Sequence, residues 1–190
     1  MASEGPNSAG TGADDAGFGT PAWASPGSVT VSDNFSASVL LAAAGNSHYL
    51  KATNFGFAIP AGATIDGILV EWEKSKMIGG TVVDARARIV KGGTVGSTDK
   101  ASPDTWPDAD AYASYGGAAD LWGETWTDAD VNAADFGAVL AANGDTGGGT
   151  ATVDHCRITV YYTAAAPAAP PPPAKTARQT DRPTDPAFTE

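Results

Sequence analysis

Glu71 and Glu73 stand two residues apart in a stretch that alternates apolar and polar side chains. A strand there would carry both carboxylates on one face, roughly 7 Å apart. That spacing falls within the range of the paired acids of an inverting glycosidase. Two acids on one exposed edge do not flank a substrate, however. A hairpin into residues 81–91 would also set Arg86 and Arg88 beside them and suppress the raised pKa that a general acid needs. A salt-bridged solvent face is the better reading. His155 beside Cys156 suggests a base and a nucleophile, but neighbouring residues of a strand point to opposite faces. The same geometry excludes Asp154 as an orienter of His155. Cys156 then reads as a small buried apolar residue. His155 reads first as a surface histidine and second as part of a sheet face or subunit contact, and His48 as a loop residue. No catalytic residue is expected, and the chain reads as a non-enzyme.

Asp104, Asp108, Asp110, Asp128 and Asp130 are oxygen ligands of the kind calcium takes. None follows the EF-hand spacing, and aspartate is common in turns and helix caps. Two histidines and a single cysteine leave little from which to build a transition-metal site. No metal and no cofactor are expected. Trp106, Tyr112, Tyr115, Trp122 and Trp126 gather in one stretch, and Phe18 and Trp23 lie near the N-terminus. Aromatic residues form the core of sheet edges and the anchors of protein interfaces. In sandwich loops they also stack on sugar rings. Core or subunit packing comes first here and sugar stacking second. These seven aromatics are the candidates for an interface or a ligand site.

The elements that must position them read as strands. Residues 65–77 place Ile68, Val70 and Trp72 on one face and Leu69, Glu71 and Glu73 on the other. Gly79-Gly80 is a turn signal, and in residues 81–91 Val83, Ala85, Ala87 and Ile89 alternate with Asp84, Arg86 and Arg88. In residues 151–163 Cys156, Ile158, Val160 and Tyr162 face the core, with His155, Arg157, Thr159 and Tyr161 opposite. Weaker strands are expected at 28–32, 34–42, 49–58 and 135–142, with one or two more within 105–118. A short helix is expected at Thr127–Ala133, opened by a Thr or Asp cap with acids in its first turn. Pro60, which cannot donate to a ladder, and Gly62 mark a connection between strands. About seven to nine short strands with Gly, Asn and Pro turns indicate an all-β fold, an antiparallel β-sandwich of jelly-roll type.

Around that core, residues 1–22 show no periodicity and read as a flexible arm. Residues 23–163 form the sandwich, and residues 164–190 a Pro-rich tail that opens in polyproline II. The 190 residues carry 11 Lys+Arg against 22 Asp+Glu, a formal charge of −11. That balance argues against nucleic acid, whose phosphates attract positive surface, and against an anionic membrane. No apolar run approaches the length needed to span a bilayer. The N-terminus has neither the basic nor the apolar region of a secretory signal, so the chain is expected to stay in the cytoplasm where it is made. The Ala-, Gly-, Thr- and Ser-rich composition nevertheless reads like an extracellular module.

Three segments carry a family resemblance: Tyr49-Leu50-Lys51-Ala52-Thr53-Asn54-Phe55-Gly56-Phe57-Ala58-Ile59-Pro60-Ala61-Gly62-Ala63-Thr64-Ile65-Asp66-Gly67-Ile68; Asp120-Leu121-Trp122-Gly123 through Asn132-Ala133-Ala134-Asp135-Phe136-Gly137; and Val153-Asp154-His155-Cys156-Arg157-Ile158-Thr159-Val160-Tyr161-Tyr162-Thr163. Together they resemble a recurring β-sandwich module of tailed-phage virion proteins. The resemblance covers most of residues 45–163 and implies a structural sandwich on a virus particle, with no catalytic motif. A particle assembled in the host cytoplasm and working outside it reconciles the missing signal with the composition. The expectation is a capsid decoration protein on the outer surface of the head. Its partners would be the major capsid protein and further copies of itself, with a trimer as the guess, and neither nucleic acid nor membrane. The alternatives are a tail-fibre or surface adhesin that binds glycan through the Trp106–Trp126 segment, and a cell-associated carbohydrate-binding module.

Overall fold

The computed structural model describes residues 1–167, the side chains of residues 145 and 146 excepted. In chain order the elements are β1 (Ala2–Ser8), β2 (Thr11–Asp15), a 3-10 turn (Pro26–Val29), β3 (Ala37–Leu41), β4 (Gly45–Asn46), β5 (Tyr49–Thr53), β6 (Thr64–Lys91), β7 (Thr94–Val95), β8 (Ala111–Gly117), α1 (Asp128–Asn132) and β9 (Gly137–Thr163). Every strand pairing is antiparallel.

The frame is one long ribbon. β6 and β9 pair from Thr64↔Thr163 at one end to Val90↔Gly137 at the other. Both strands are far longer than the usual 3–10 residues because each bends and serves two layers. The register shifts cluster between Lys76 and Val82, where the ribbon turns its corner. Gly79 sits there at φ +116°, and a Cβ on it would lie 2.7 Å from the Cα of Gly149 on the facing strand. Only a residue without a side chain lets the two backbones approach so closely. On one side of the corner the first layer runs β8, β6, β9, and then a composite edge made of β1 and β3. On the other side the second layer runs β7, β6, β9, β5, β2. The chain is therefore an antiparallel β-sandwich, and its jelly-roll character comes from this folded ribbon.

Both layers contribute to one core. Ile68, Val70, Trp72, Cys156, Ile158 and Val160 of the first layer join Leu50, Ala87, Ile89 and Leu140 of the second. Burying side chains of this size contributes about 1.5–3 kcal/mol each. A smaller cluster lies apart from this core and is made of Tyr49, Ala85, Val90, Val139 and Ala141, with Phe18 and Val95 packed against it.

Several expectations are corrected. Residues 65–77 and 81–91 are not two arms of a hairpin; they are halves of one strand, so Gly79-Gly80 marks a corner rather than a reversal. Arg86 and Arg88 consequently reach Asp99 and not Glu71 or Glu73. Residues 1–22 are no free arm: β1 pairs with the end of β9 and β2 with β5, so the segment supplies an edge to each layer. Its polar, Gly-rich pattern hides the strands because edge strands need little apolar content. Residues 26–29 form the 3-10 turn in place of a strand, and residues 135–142 and 151–163 belong to the single strand β9. The expected helix is α1, with Thr127 and Asp130 forming a reciprocal capping box. Residues 168–190 of the Pro-rich tail lie outside the described residues.

Candidate ligand-binding face

The strand period puts a polar set on the outer face of the first layer. Glu71, Glu73, Ser75 and Met77 alternate along β6 with the inward-facing Trp72 and Lys74, and Thr152 stands opposite Ser75 on β9. Near the corner this face opens into a groove of about 340 Å³ lined by Asn34, Ser36, Ser38, Ser75, Met77, Asp110 and Thr152. Its floor is a chain of hydroxyls. Ser75 Oγ donates to Asp110 Oδ1 at 2.6 Å and lies 2.8 Å from Thr152 Oγ1. Thr152 Oγ1 also lies 2.9 Å from the Ser75 carbonyl. Two hydroxyl protons cannot serve three contacts at once. Ser75 gives its proton to Asp110 and Thr152 donates to the Ser75 carbonyl, which directs the pair of hydroxyls at a carboxylate. Met77 of the lining is 62 % exposed, and the apolar residues one or two positions from lining residues in the chain are exposed as well: Phe35 76 %, Leu40 75 % and Ile78 83 %.

One step further along the strands the face is closed by its own residues. Tyr112 Oη lies 2.8 Å from His155 Nδ1, and His155 Nε2 lies 2.9 Å from Ser8 Oγ. Arg157 holds Glu71 through two hydrogen bonds, and its guanidinium sits 3.8 Å over the Tyr112 ring. Burial lowers the His155 pKa, Arg157 adds to that effect, and Glu73 and Asp154 oppose it. The imidazole is thus held between the Tyr112 phenol and the Ser8 hydroxyl, where burial disfavours its charged form. Burial and the adjacent Glu73 raise the Tyr112 pKa. Burial also raises that of Asp154, helped by the charges of Glu73, Asp110 and Asp33. Asp154 Oδ2 accepts from the Asn34 amide at 3.2 Å. Among the described residues, Asp154 Oδ1 and Glu73 Oε2 are buried without a hydrogen-bond partner.

His155 is therefore buried between β1 and β8, not on the surface as expected. The missing signal was the N-terminal segment, which covers it. His48 lies in the connection between β4 and β5, as expected, and is held there: its Nδ1 lies 2.8 Å from Asp14, and its carbonyl accepts from Trp23 Nε1 at 2.9 Å.

The seven aromatic candidates do not form one surface. Trp23, Trp106, Tyr115 and Trp122 are buried in the core and offer no ring to an outside partner. Their polar atoms are satisfied internally: Trp106 Nε1 by Asp84, Trp122 Nε1 by the Ile68 carbonyl, and Tyr115 Oη by Asp84. The half-buried Trp126 donates to the Leu121 carbonyl and packs edge-on against Phe136. Phe18 stacks on Tyr49 under the Arg86 guanidinium, so it anchors to its own chain. Tyr112 alone reaches the polar face just described. Ring area favours burial whenever the indole or phenol finds a partner inside.

The acids considered for calcium are dispersed among local roles. Asp108 pairs with Lys76, Asp110 accepts from Ser75, Asp128 accepts from the Gly62 amide, and Asp130 caps α1 and meets Lys91. Ser102 donates to Asp104. Among the described residues no group of three or more His, Cys, Asp or Glu is placed to hold a metal ion.

Beneath the face, sequence reasoning missed a buried charged cluster. Lys74 and Asp84 form an ion pair in the interior, together with Trp106 and Tyr115. A signal for it was available: Lys74 continues the inward series Ile68, Val70, Trp72. A cavity of about 260 Å³ adjoins the cluster, lined in part by Lys74, Ser102, Asp104, Trp106 and Tyr115.

No protein-family model and no curated protein matches the sequence. Among solved structures, the second N-terminal cellulose-binding domain of Cellulomonas fimi β-1,4-glucanase C is similar at 15% identity, covering 83% of this chain and 94% of that one, with a TM-score of 0.45. The CBM22-1 xylan-binding domain of Paenibacillus barcinonensis Xyn10C is similar at 10% identity, covering 86% and 95%, with a TM-score of 0.42. A third structure, described as CBM4, is similar at 15% identity over 67% and 85%, with a TM-score of 0.38.

Proposed function

We propose that the chain is a non-catalytic binding module whose ligand is a glycan held in the groove of the first layer. The observation that carries this reading is the lining: hydroxyl, amide and carboxylate groups of Asn34, Ser36, Ser38, Ser75, Asp110 and Thr152 converge on one groove. Phe35, which stands in the chain between the lining residues Asn34 and Ser36, is exposed. A polyol needs both donors and acceptors at close spacing, and an aromatic or aliphatic rim for the C–H face of its ring. The unused capacity of Asp110 and the serines supplies the first, and Phe35 and Met77 the second.

Cellulose and xylan oligosaccharides are the first ligands to try, followed by a broad glycan array. Calorimetry of the full chain is expected to show saturable binding, weakened about tenfold, or about 1.4 kcal/mol, by Phe35→Ala. Phe35 is exposed, so this change leaves the fold intact. Absence of binding across the array, or binding indifferent to both Phe35→Ala and Ser38→Ala, would overturn the reading.

A second reading is supported by exposed apolar residues. Met77 and Ile78 at the corner of the ribbon, Leu40 on β3, and Val31 and Phe35 ahead of β3 are exposed apolar side chains, and exposed apolar groups suit a protein interface. In that reading the chain is a virion structural protein that decorates the capsid exterior. Its partners are the major capsid protein and further copies of itself, and it is assembled in the host cytoplasm. Stoichiometric binding to isolated heads, lost in Leu40→Asp, supports it; failure to bind heads removes it.

A further inference from the structure

We propose that Lys74 and Asp84 condense inside the folded chain to an amide, a covalent pin across the corner of β6. Both side chains are withdrawn from water, at 5 % and 0 % exposure, and Lys74 Nζ donates to Asp84 Oδ1. The residue that makes this pair more than an ion pair is Tyr115. Its hydroxyl accepts from Lys74 Nζ at 2.6 Å and donates to Asp84 Oδ2 at 2.7 Å. It therefore bridges the amine to the oxygen that must leave. The other carboxylate oxygen, Oδ1, accepts from Trp106 Nε1 at 2.7 Å, and Oδ2 also accepts from the Ser102 amide at 2.9 Å.

The step balances within the cluster. One ammonium proton passes through the Tyr115 phenol to Oδ2, leaving a neutral amine and a neutral carboxylic acid. The amine lone pair attacks Cγ and the N–C bond forms. A second nitrogen proton reaches the Oδ2 hydroxyl by the same phenol, the Cγ–Oδ2 bond breaks, and one water departs. Oδ1 remains as the amide oxygen, still held by the Trp106 indole. No oxidant or further reactant is required.

The surroundings favour each stage. Burial lowers the Lys74 pKa, against the pull of Asp84 and Asp104, and so assists release of the free amine. Burial first, then Asp84, raises the Tyr115 pKa, so the relay stays a phenol. The Trp106 and Tyr115 rings lie 4.6 and 5.3 Å from Nζ and exclude water from the amine. Amide formation removes two charges whose burial is costly. The adjoining cavity, lined by Lys74, Ser102 and Tyr115 among others, gives the released water a way out. The bond joins the two halves of β6 on either side of Gly79 and so resists opening of the corner.

Intact-mass spectrometry of the purified full chain tests the proposal. The expected mass is lower than that of the sequence by one water. The expected tryptic product is residues 52–76 joined to residues 77–86, because Lys74 no longer offers a cleavage site. Tyr115→Phe keeps the ring in the core and removes the relay; it is expected to restore the full mass with unchanged far-ultraviolet dichroism. A folded wild-type chain at full mass, with separate peptides and cleavage after Lys74, would overturn the proposal. So would a Tyr115→Phe chain that still lacks the water.

Discussion

Arg157 on β9 holds Glu71 on β6 at both ends of its guanidinium, Nε to Oε2 at 2.9 Å and Nη2 to Oε1 at 3.1 Å. The two residues are register partners across the ribbon, and the same guanidinium covers the Tyr112 ring. A lysine at 157 would keep the charge but lose the fork and the flat stacking surface. Arg157→Lys is expected to lower stability by about 1 kcal/mol, a modest loss because both partners are partly solvated. Urea denaturation monitored by tryptophan fluorescence reads it.

Asp84 accepts from Lys74, Trp106, Tyr115 and the Ser102 amide. Whether the pair stands as ions or as the proposed amide, Asp84→Ala strands the Lys74 amine and three further donors in the interior. Removing one partner of a buried pair costs about 3–5 kcal/mol. Equilibrium unfolding is expected to show a loss of that size, and a change below about 1 kcal/mol would mean that water reaches Lys74.

His155 gives stability a direction with pH. Its folded pKa lies below the ordinary value of 6.5, first through burial and then through Arg157. The unfolded chain therefore takes up the proton more readily. The contribution is complete above about pH 6.5 and is lost as pH falls through the lowered folded pKa. Melting temperature is expected to drop between pH 7.5 and pH 5, and to drop less in His155→Gln, whose amide does not titrate.

Asp154 works in the opposite sense. Its folded pKa is raised by burial, with the charges of Glu73, Asp110 and Asp33 adding to the effect. The ionised carboxyl is then a burden that sets in as pH rises above the unfolded value of about 3.9. Asp154→Asn keeps an oxygen for the Asn34 amide and removes the charge. It is expected to stabilise the chain at pH 7 and to leave it unchanged at pH 3, as read by calorimetric melting at the two values.

The alternation of Ile68, Val70 and Trp72, and of Cys156, Ile158 and Val160, by itself determined the all-β class and the inward faces of the two central strands. Thr127 and Asp130 determined the cap of α1 just as directly. These are local matters: a period of two and a side chain that reaches its own backbone leave their mark within a few residues. Tertiary structure decided what lies across from what. Gly79-Gly80 carries the same signal in a hairpin and in a corner, and only the length of β9 running alongside makes it a corner. That choice moved Arg86 and Arg88 to Asp99 and gave Glu71 to Arg157. The polar N-terminus became two edge strands because open ladders of β9 and β5 accept its backbone whatever its side chains. Trp23, Trp106 and Trp122 went inward because acceptors from distant segments, His48, Asp84 and Ile68, meet their indoles there. The groove and the Lys74–Asp84–Tyr115 cluster gather residues from elements far apart in the chain, and no spacing in the sequence records that they meet.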